Sequence, residues 1–448
     1  MIEELIHMFD VLFIGSGQGA WNGAIPMSQA GLKVAVIEEG LFGGVCTNRG
    51  CNAKITLDKP VELVRTIEQL QGRGFDSVPK INWPDLMAHK HEVIGKLAES
   101  NKQKLVDGGV QVIVGHATLL DAKTVKVGDI NYHAQKIVLA LGQHPHRLDI
   151  PGKEYLHDST DFLSLPQMPK QLTIIGAGYV GMEFASIANA VGASVNVVVD
   201  SHQPLRHFYQ PYVKRLVADL RRRGVKFFYD QQVDAVEKTE AGLVLHGSNQ
   251  FELASDYIVD ASGRLPNLTG SGLETLGIAT NAHGIEVDNH LQTNVAGVYA
   301  TGDVVDKPQP KITPTAIFES QYLAQLFTNQ TSDTIHYPAI ATTVFSSPRI
   351  SQVGINPNEA EKQPDKYSVE HFEYGDDWFK QVQNELDGGL TLVFDQEHIL
   401  VGAVEYSNEA VDSINGLLDI IELRLTHEQV QRFIYTFPSI QHSYFRKI

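Results

Sequence analysis

Only two of the 448 residues are cysteine, Cys46 and Cys51. That scarcity argues against a disulfide-braced extracellular scaffold, and against zinc, since there is no second cysteine pair and no histidine nearby in sequence. Long hydrophobic runs are missing too. No apolar stretch reaches the ~18–20 residues that a membrane span needs. Positive charge is scarce: 36 Lys and Arg stand against 53 Asp and Glu, a formal net charge of −17. A phosphate backbone would repel such a chain, so nucleic acid is not an expected partner. The opening stretch, "MIEELIHMFD", has neither the basic n-region nor the small-residue cleavage site of a secretory leader. These absences predict a cytoplasmic protein without membrane contact. In that reducing compartment a close cysteine pair points to catalysis or metal ligation rather than to a staple. The length implies about two to four domains, and an apolar fraction of 43% with 20% charged residues fits a globular chain.

What is present is one motif, twice. "DVLFIGSGQGA" (Asp10–Ala20) runs from an apolar stretch into Gly15-x-Gly17-x-x-Ala20, and after a helical stretch "KVAVIEE" carries Glu38. "QLTIIGAGYVGMEFA" (Gln171–Ala185) repeats the plan with Gly176-x-Gly178-x-x-Gly181, and "SVNVVVD" ends at Asp200. Each copy reads strand, tight turn, helix, strand, with an acid roughly 20 residues beyond the glycines, which is the dinucleotide-binding βαβ pattern. The first glycine makes the turn and the second lets backbone N–H groups approach a pyrophosphate. The third position, Ala20 or Gly181, must be small for helix and strand to pack. The helix N-terminus adds partial positive charge. Two dinucleotide sites are therefore expected, with Pro26 predicted to kink the first helix.

Between the copies, "KIVLALGQHPHRLDIPG" (Lys136–Gly152) reads as a strand and a Pro/Gly-rich junction. Beyond the second copy come "VDASGRLPN" (Val259–Asn267) and "VAGVYATGDVV" (Val295–Val305). From about Tyr337 the pattern changes to that of an antiparallel sheet with helices.

The series Gly15-x-Gly17, Glu38, Gly43-Gly44, Cys46-x4-Cys51-x-x-Lys54, Gly176-x-Gly178-Tyr179-x-Gly181-x-Glu183, Gly263-Arg264-x-Pro266-Asn267 and Thr301-Gly302-Asp303 resembles the flavin-dependent pyridine nucleotide–disulfide oxidoreductases. Glutathione reductase, dihydrolipoamide dehydrogenase and mercuric reductase belong to that group. The resemblance spans nearly the whole chain and implies an α/β fold: two Rossmann-like domains, for FAD and NAD, plus a C-terminal α+β dimerisation domain. Residues 1–150 would begin the FAD domain, 151–270 would bind NAD(P), 271–335 would complete the FAD domain, and 336–448 would form a homodimer. It assigns Gly15, Gly17, Ala20, Glu38, Gly43, Gly44, Gly142, Asp303 and Ala316 to FAD. Gly176, Gly178, Gly181, Asp200, Gly263 and Arg264 are assigned to the nicotinamide dinucleotide. Tyr179 resembles a gate over the flavin, and Lys54 with Glu183 an ion pair beside it.

The resemblance also implies that Cys46 and Cys51 form a redox-active disulfide. Residues five apart on a regular helix have Cα atoms roughly 8–9 Å apart, whereas a disulfide requires about 4.4–6.8 Å. A distorted first turn is therefore expected, with Gly50 and Asn48 as the residues suited to it. A staple closing so small a loop gains little entropy. The implied relay runs from NADH through FAD to Cys51, with Cys46 released as the thiolate that meets a small-molecule acceptor. A helix N-terminus and Lys54 would lower the thiol pKa values.

Relatives in this group end with His-Pro-Thr-x-x-Glu, a histidine base and its orienting glutamate. Here the stretch is "TFPSIQH", with Phe437 at the histidine position and His442 at the glutamate position. Phenylalanine cannot move a proton, so His442 is the candidate substitute. No C-terminal or N-terminal cysteine pair of the mercuric reductase kind is present. Ile25 and Gln321 stand where glutathione reductases place arginines. The acceptor is thus expected to be something other than glutathione: a small disulfide, a quinone or a metal ion. The alternative is a flavoprotein of impaired turnover that serves as a redox sensor or scaffold. Asp200 would repel a 2′-phosphate, which predicts NADH over NADPH although Arg206 follows closely.

Overall fold

A computed structural model describes residues 8–448; residues 1–7, on which part of the no-leader reading rests, lie outside it. The chain folds as two compact units. The first comprises the chain through Thr56, Ala88–His146 and Arg264–His336, and the second comprises Leu57–Met87, Arg147–Gly263 and Tyr337–Ile448.

In the first unit the strand Met8–Ile14 lies between Val34–Glu38 and Ile130–Leu139, parallel to both, with Leu12 opposite Ala35 on one side and Ile137 on the other. Gln111–Val114 extends the parallel sheet beyond Val34–Glu38, and Val298–Ala300 pairs in parallel with Ile137–Leu139. Thr124–Val127 and Ala117–Asp121 close the sheet antiparallel. The two-residue period of a strand sends Leu12 and Ile14 to one face, against Ile37 and Ile137, and Val11 and Phe13 to the other, against Val36 and Met27. Both faces are covered, which is why these strands read as near-continuous apolar runs. The chain leaves the first strand through Gly15 (φ 101°), where a Cβ would stand 2.3 Å from the Ala140 carbonyl oxygen. The helix Gln18–Gln29 follows and runs uninterrupted through Pro26. It crosses the helix Thr313–Phe327 at Gly23, whose Cβ would sit 2.4 Å from the Ser320 carbonyl oxygen.

The second unit repeats the turn. Gln171–Ile175 and Ser194–Val198, joined by the helix Tyr179–Val191, belong to a five-stranded parallel sheet. A Cβ on Gly181 would meet the Gly176 carbonyl oxygen at 2.1 Å, so the small third position of the motif is required by packing. The expected change of character near Tyr337 is a five-stranded antiparallel sheet from Thr342–Val344 to Tyr367–Glu373. The helix Ala410–Glu422 lays Ile414, Leu417 and Ile421 on that sheet's Leu390, Leu392 and Ala403. Lys380 is fully buried in this unit and bonded to Glu385 at 2.8 Å and Glu409 at 2.9 Å.

Candidate functional site

The two cysteines lie on separate helices. Gly43 and Gly44 (φ 97° and 67°) turn the chain into the short helix Gly44–Arg49. A Cβ on Gly44 would come within 2.8 Å of the Gly17 Cα, so this helix starts against the first glycine turn. Asn48 anchors it by donating from Nδ2 to the Phe42 and Gly44 carbonyls at 3.0 and 2.9 Å. Buried Thr47 accepts from Asn101 Nδ2 at 3.2 Å. At Gly50 the helix stops, and a new one, Cys51–Gln69, begins. A Cβ on Gly50 would be 2.8 Å from the Val45 carbonyl oxygen and 3.2 Å from the Cys46 Cα. The distortion is therefore a break made by Gly50, while Asn48 fastens the preceding turn rather than sharing in the break.

Both thiols are free. Cys51 Sγ lies 3.6 Å from Thr313 Oγ1. A hydrogen bond from the Cys46 thiol lowers the Cys51 pKa to about 6, against the opposing effect of burial, with Thr313 and the positive charge of Lys54 assisting. The same bond, followed by burial and repulsion from Cys51, pushes Cys46 well above the ordinary thiol range. The reduced pair thus carries one thiolate, on Cys51, and one firmly held proton, on Cys46.

Around the first turn, Glu38 Oε2 accepts from Ser16 N at 3.0 Å and Ser16 Oγ at 2.6 Å, and its Oε1 accepts from Gly40 N at 2.8 Å. A Cβ on Gly19 would be 3.5 Å from the Gly302 Cα, and Gly302 itself is left-handed (φ 78°). Ala20 and Ala316 are buried, Asp303 is half-buried, and Gly142 has φ 66°. Gly15, Gly17, Gly19, Gly44 and Gly302 thus form a cradle bare of side chains, and its donor-rich turn fits the pyrophosphate of a flavin dinucleotide.

In the second unit, Gly178 caps the helix that Tyr179 opens, and Tyr179 is half exposed. Glu183 is buried and its Oε1 accepts from the Phe345 amide at 2.8 Å. Lys54 belongs to the first unit and Glu183 to the second. Asp200 is exposed, with Arg206 Nη2 4.0 Å from its Oδ1. Gly263 has φ 158°. Arg264, in the first unit, donates from Nη2 to the Gln143 carbonyl at 2.8 Å. His442 stands edge-on to Phe437 at 5.0 Å between ring centroids, and Phe437 stacks on Trp378 at 6.0 Å. Both stacked rings are open to solvent, 64% for Phe437 and 59% for Trp378. Trp378, Thr313, Ser16, and the Thr47–Asn101 contact were not among the residues expected from the sequence. Thr313 alone had a signal, since it opens the same Thr-Pro-x-Ala stretch as Ala316.

A thiolate–thiol pair beside a glycine cradle, with a second glycine-turn domain in the same chain, defines a flavoprotein disulfide oxidoreductase. The chain belongs to the pyridine nucleotide-disulphide oxidoreductase family: that family's sequence pattern matches residues 9–320, and its dimerisation domain matches residues 340–446. It is 31% identical over 366 residues to a glutathione reductase of Nostoc sp., covering 79% of each chain. It is 29% identical over 446 residues to the dihydrolipoyl dehydrogenase of Geobacillus stearothermophilus, covering 96% of this chain and 93% of that one. It shares its fold with the HOCl-induced flavoprotein disulfide reductase RclA of Escherichia coli, at a TM-score of 0.88, 24% identity, and coverage of 98% and 99%. RclA has also been solved as a Cu(II) complex, to which the chain fits with a TM-score of 0.89. Members of the family use FAD and NAD(P)H. Among the described residues no helix is long and apolar enough to cross a membrane.

Proposed function

We propose that this protein takes electrons from NADH and passes them through FAD and the Cys46–Cys51 pair to a thiophilic metal ion, with Cu(II) as the first candidate. Bound FAD would supply two-electron transfer between nicotinamide and disulfide. The Gly15–Gly17 turn, Ala20, Glu38, Gly43, Gly44, Gly142, Asp303 and Ala316 would hold it. Gly176, Gly178, Gly181, Gly263 and Arg264 would hold the nicotinamide dinucleotide, and Asp200 would disfavour a 2′-phosphate. Tyr179 would cover the flavin, and Lys54 with Glu183 would flank it. The domains would follow the boundaries 1–150, 151–270, 271–335 and 336–448. The protein would act as a cytoplasmic homodimer. Solvent-exposed Trp378, Leu423, Ile434 and Phe437, all within the matched dimerisation domain, support that assembly.

Phe437, standing where relatives carry a histidine base, carries the choice of acceptor, and the Cys51 sulfur that holds the Cys46 thiol protonated points the same way. Attack on a disulfide needs the Cys46 thiolate; Phe437 offers no base to make it, and His442 would have to take that part. A soft metal ion displaces the thiol proton itself on binding. Cys51 thiolate and Cys46 thiol then close to one sulfur–sulfur bond, release one proton, and give two electrons to two Cu(II), which leave as Cu(I). A protein of the same fold, RclA, forms a complex with Cu(II), which makes that ion the first to try. The FAD-loaded protein should reduce Cu(II) with NADH, measured anaerobically with a Cu(I)-selective chelator, and Cys46→Ser should abolish it. Equal Cu(II) reduction by Cys46→Ser would refute the route. A second reading, a redox sensor of impaired turnover, is favoured by the same firmly held Cys46 proton together with Phe437. It predicts a disulfide that NADH reduces, with only trace turnover on Cu(II), quinones and disulfides alike.

A further inference from the structure

Two charged side chains of the first unit are buried and belong to no part of the thiol relay. The side chain of Lys307 is 4% exposed and that of Glu319 is 0% exposed, and they pair with each other. Both also hold the backbone on either side of the Gly302 Cα. Glu319 Oε2 accepts from the Gly302 amide at 2.7 Å, and Lys307 Nζ donates to the Gly302 carbonyl at 3.1 Å. Lys311 Nζ donates to the next carbonyl, that of Asp303, also at 3.1 Å. The strand Val298–Ala300 ends there, with Thr301 N making the last ladder-side bond to the Leu139 carbonyl at 3.0 Å.

A buried ion pair is poor evidence of stabilisation, because desolvation cancels most of the attraction and apolar side chains of similar size serve as well. What this pair supplies is directional: one acceptor and one donor aimed at successive peptide groups of a left-handed residue. Gly302 packs against Gly19 of the first glycine turn, so its placement sets the width of the cradle.

We infer that Lys307 and Glu319 form a positioning clamp: they hold Gly302 and Asp303 in a binding-competent turn before the flavin dinucleotide arrives, without touching it. This rests on the proposed FAD reading. The test uses the full-length protein stripped of flavin. Hydrogen exchange should find the Gly302 amide protected before FAD is added. A Gly302 amide that exchanges freely in the flavin-free wild type would overturn the clamp, and this readout does not depend on FAD binding.

Lys307→Met/Glu319→Gln, which removes the charge in matched volume, should keep the flavin-free melting temperature while weakening FAD binding about ten- to hundredfold. Glu319→Asp keeps the charge, shortens the reach, and should weaken binding as well. Wild-type FAD affinity in both variants would refute the clamp. So would losses of affinity that merely track a lower melting temperature, since that is what a structural role alone produces. Failure of the wild type to bind FAD would instead sink the functional reading.

Discussion

Replacing Cys46 with alanine removes the thiol that donates to the Cys51 sulfur, the largest single cause of the low Cys51 pKa. A hydrogen bond to a charged group is worth about 1.5–3 kcal/mol net. At about 1.36 kcal/mol per pKa unit, its loss moves the Cys51 pKa up by about one to two units. Cys51 would then titrate at roughly 7–8 instead of about 6, and not at the ordinary 9.0, because Thr313 and Lys54 remain. The sign follows from the direction of the shift. In the reduced wild type the thiolate is present above about pH 6 and is lost as the pH falls through that value. In Cys46→Ala the same loss occurs at higher pH. Far-ultraviolet thiolate absorbance, or the pH dependence of alkylation by iodoacetamide, reads it directly in the reduced protein. An unchanged midpoint in Cys46→Ala would refute the assignment of the low pKa to the Cys46 thiol.

Gly50→Ala should force the Val45 carbonyl away from the added methyl group and cost about 1–3 kcal/mol, read as a lower urea midpoint together with slower closure of the Cys46–Cys51 bond. Lys380→Ala leaves Glu385 and Glu409 without their buried cation. It should cost about 3–5 kcal/mol in thermal or urea melts, while the thiol titration of the first unit stays as in the wild type. Asp200→Arg should lower the preference for NADH over NADPH, checked by kcat/KM for each nucleotide with one acceptor; an unchanged ratio would remove Asp200 from the basis of selection.

The parts of this molecule that could be read in the sequence are those whose physics is local. Gly181 is demanded by a contact within one strand–turn–helix and Gly15 by the left-handed turn itself, so spacing revealed both, although the carbonyl that crowds Gly15 belongs to distant Ala140. The need for a bend between Cys46 and Cys51 followed from helix geometry, and Gly50 was the residue able to make it. Asn48 was misjudged, because its three carbonyl contacts reach back to Leu41, Phe42 and Gly44, which a motif does not display. Thr313 lay in a readable Thr-Pro-x-Ala stretch, but what it touches was not legible, and for Glu319 neither was. Each acts across more than ten residues of intervening chain, on Cys51 and on Gly302, and no periodicity or spacing marks those partners. Trp378 opens the helix Trp378–Val382 and stacks on Phe437 across a long stretch of chain, a contact that no local pattern marks.

Gly23 and Ser320 meet with no room for a methyl group between them. The helix that opens beside the pyrophosphate turn and the helix whose first residue touches the Cys51 sulfur are consequently welded backbone to backbone. A side chain larger than glycine at position 23 would have to push the second helix aside and the Thr313 hydroxyl with it, so a change made well away from the sulfur would be read in the sulfur's acidity.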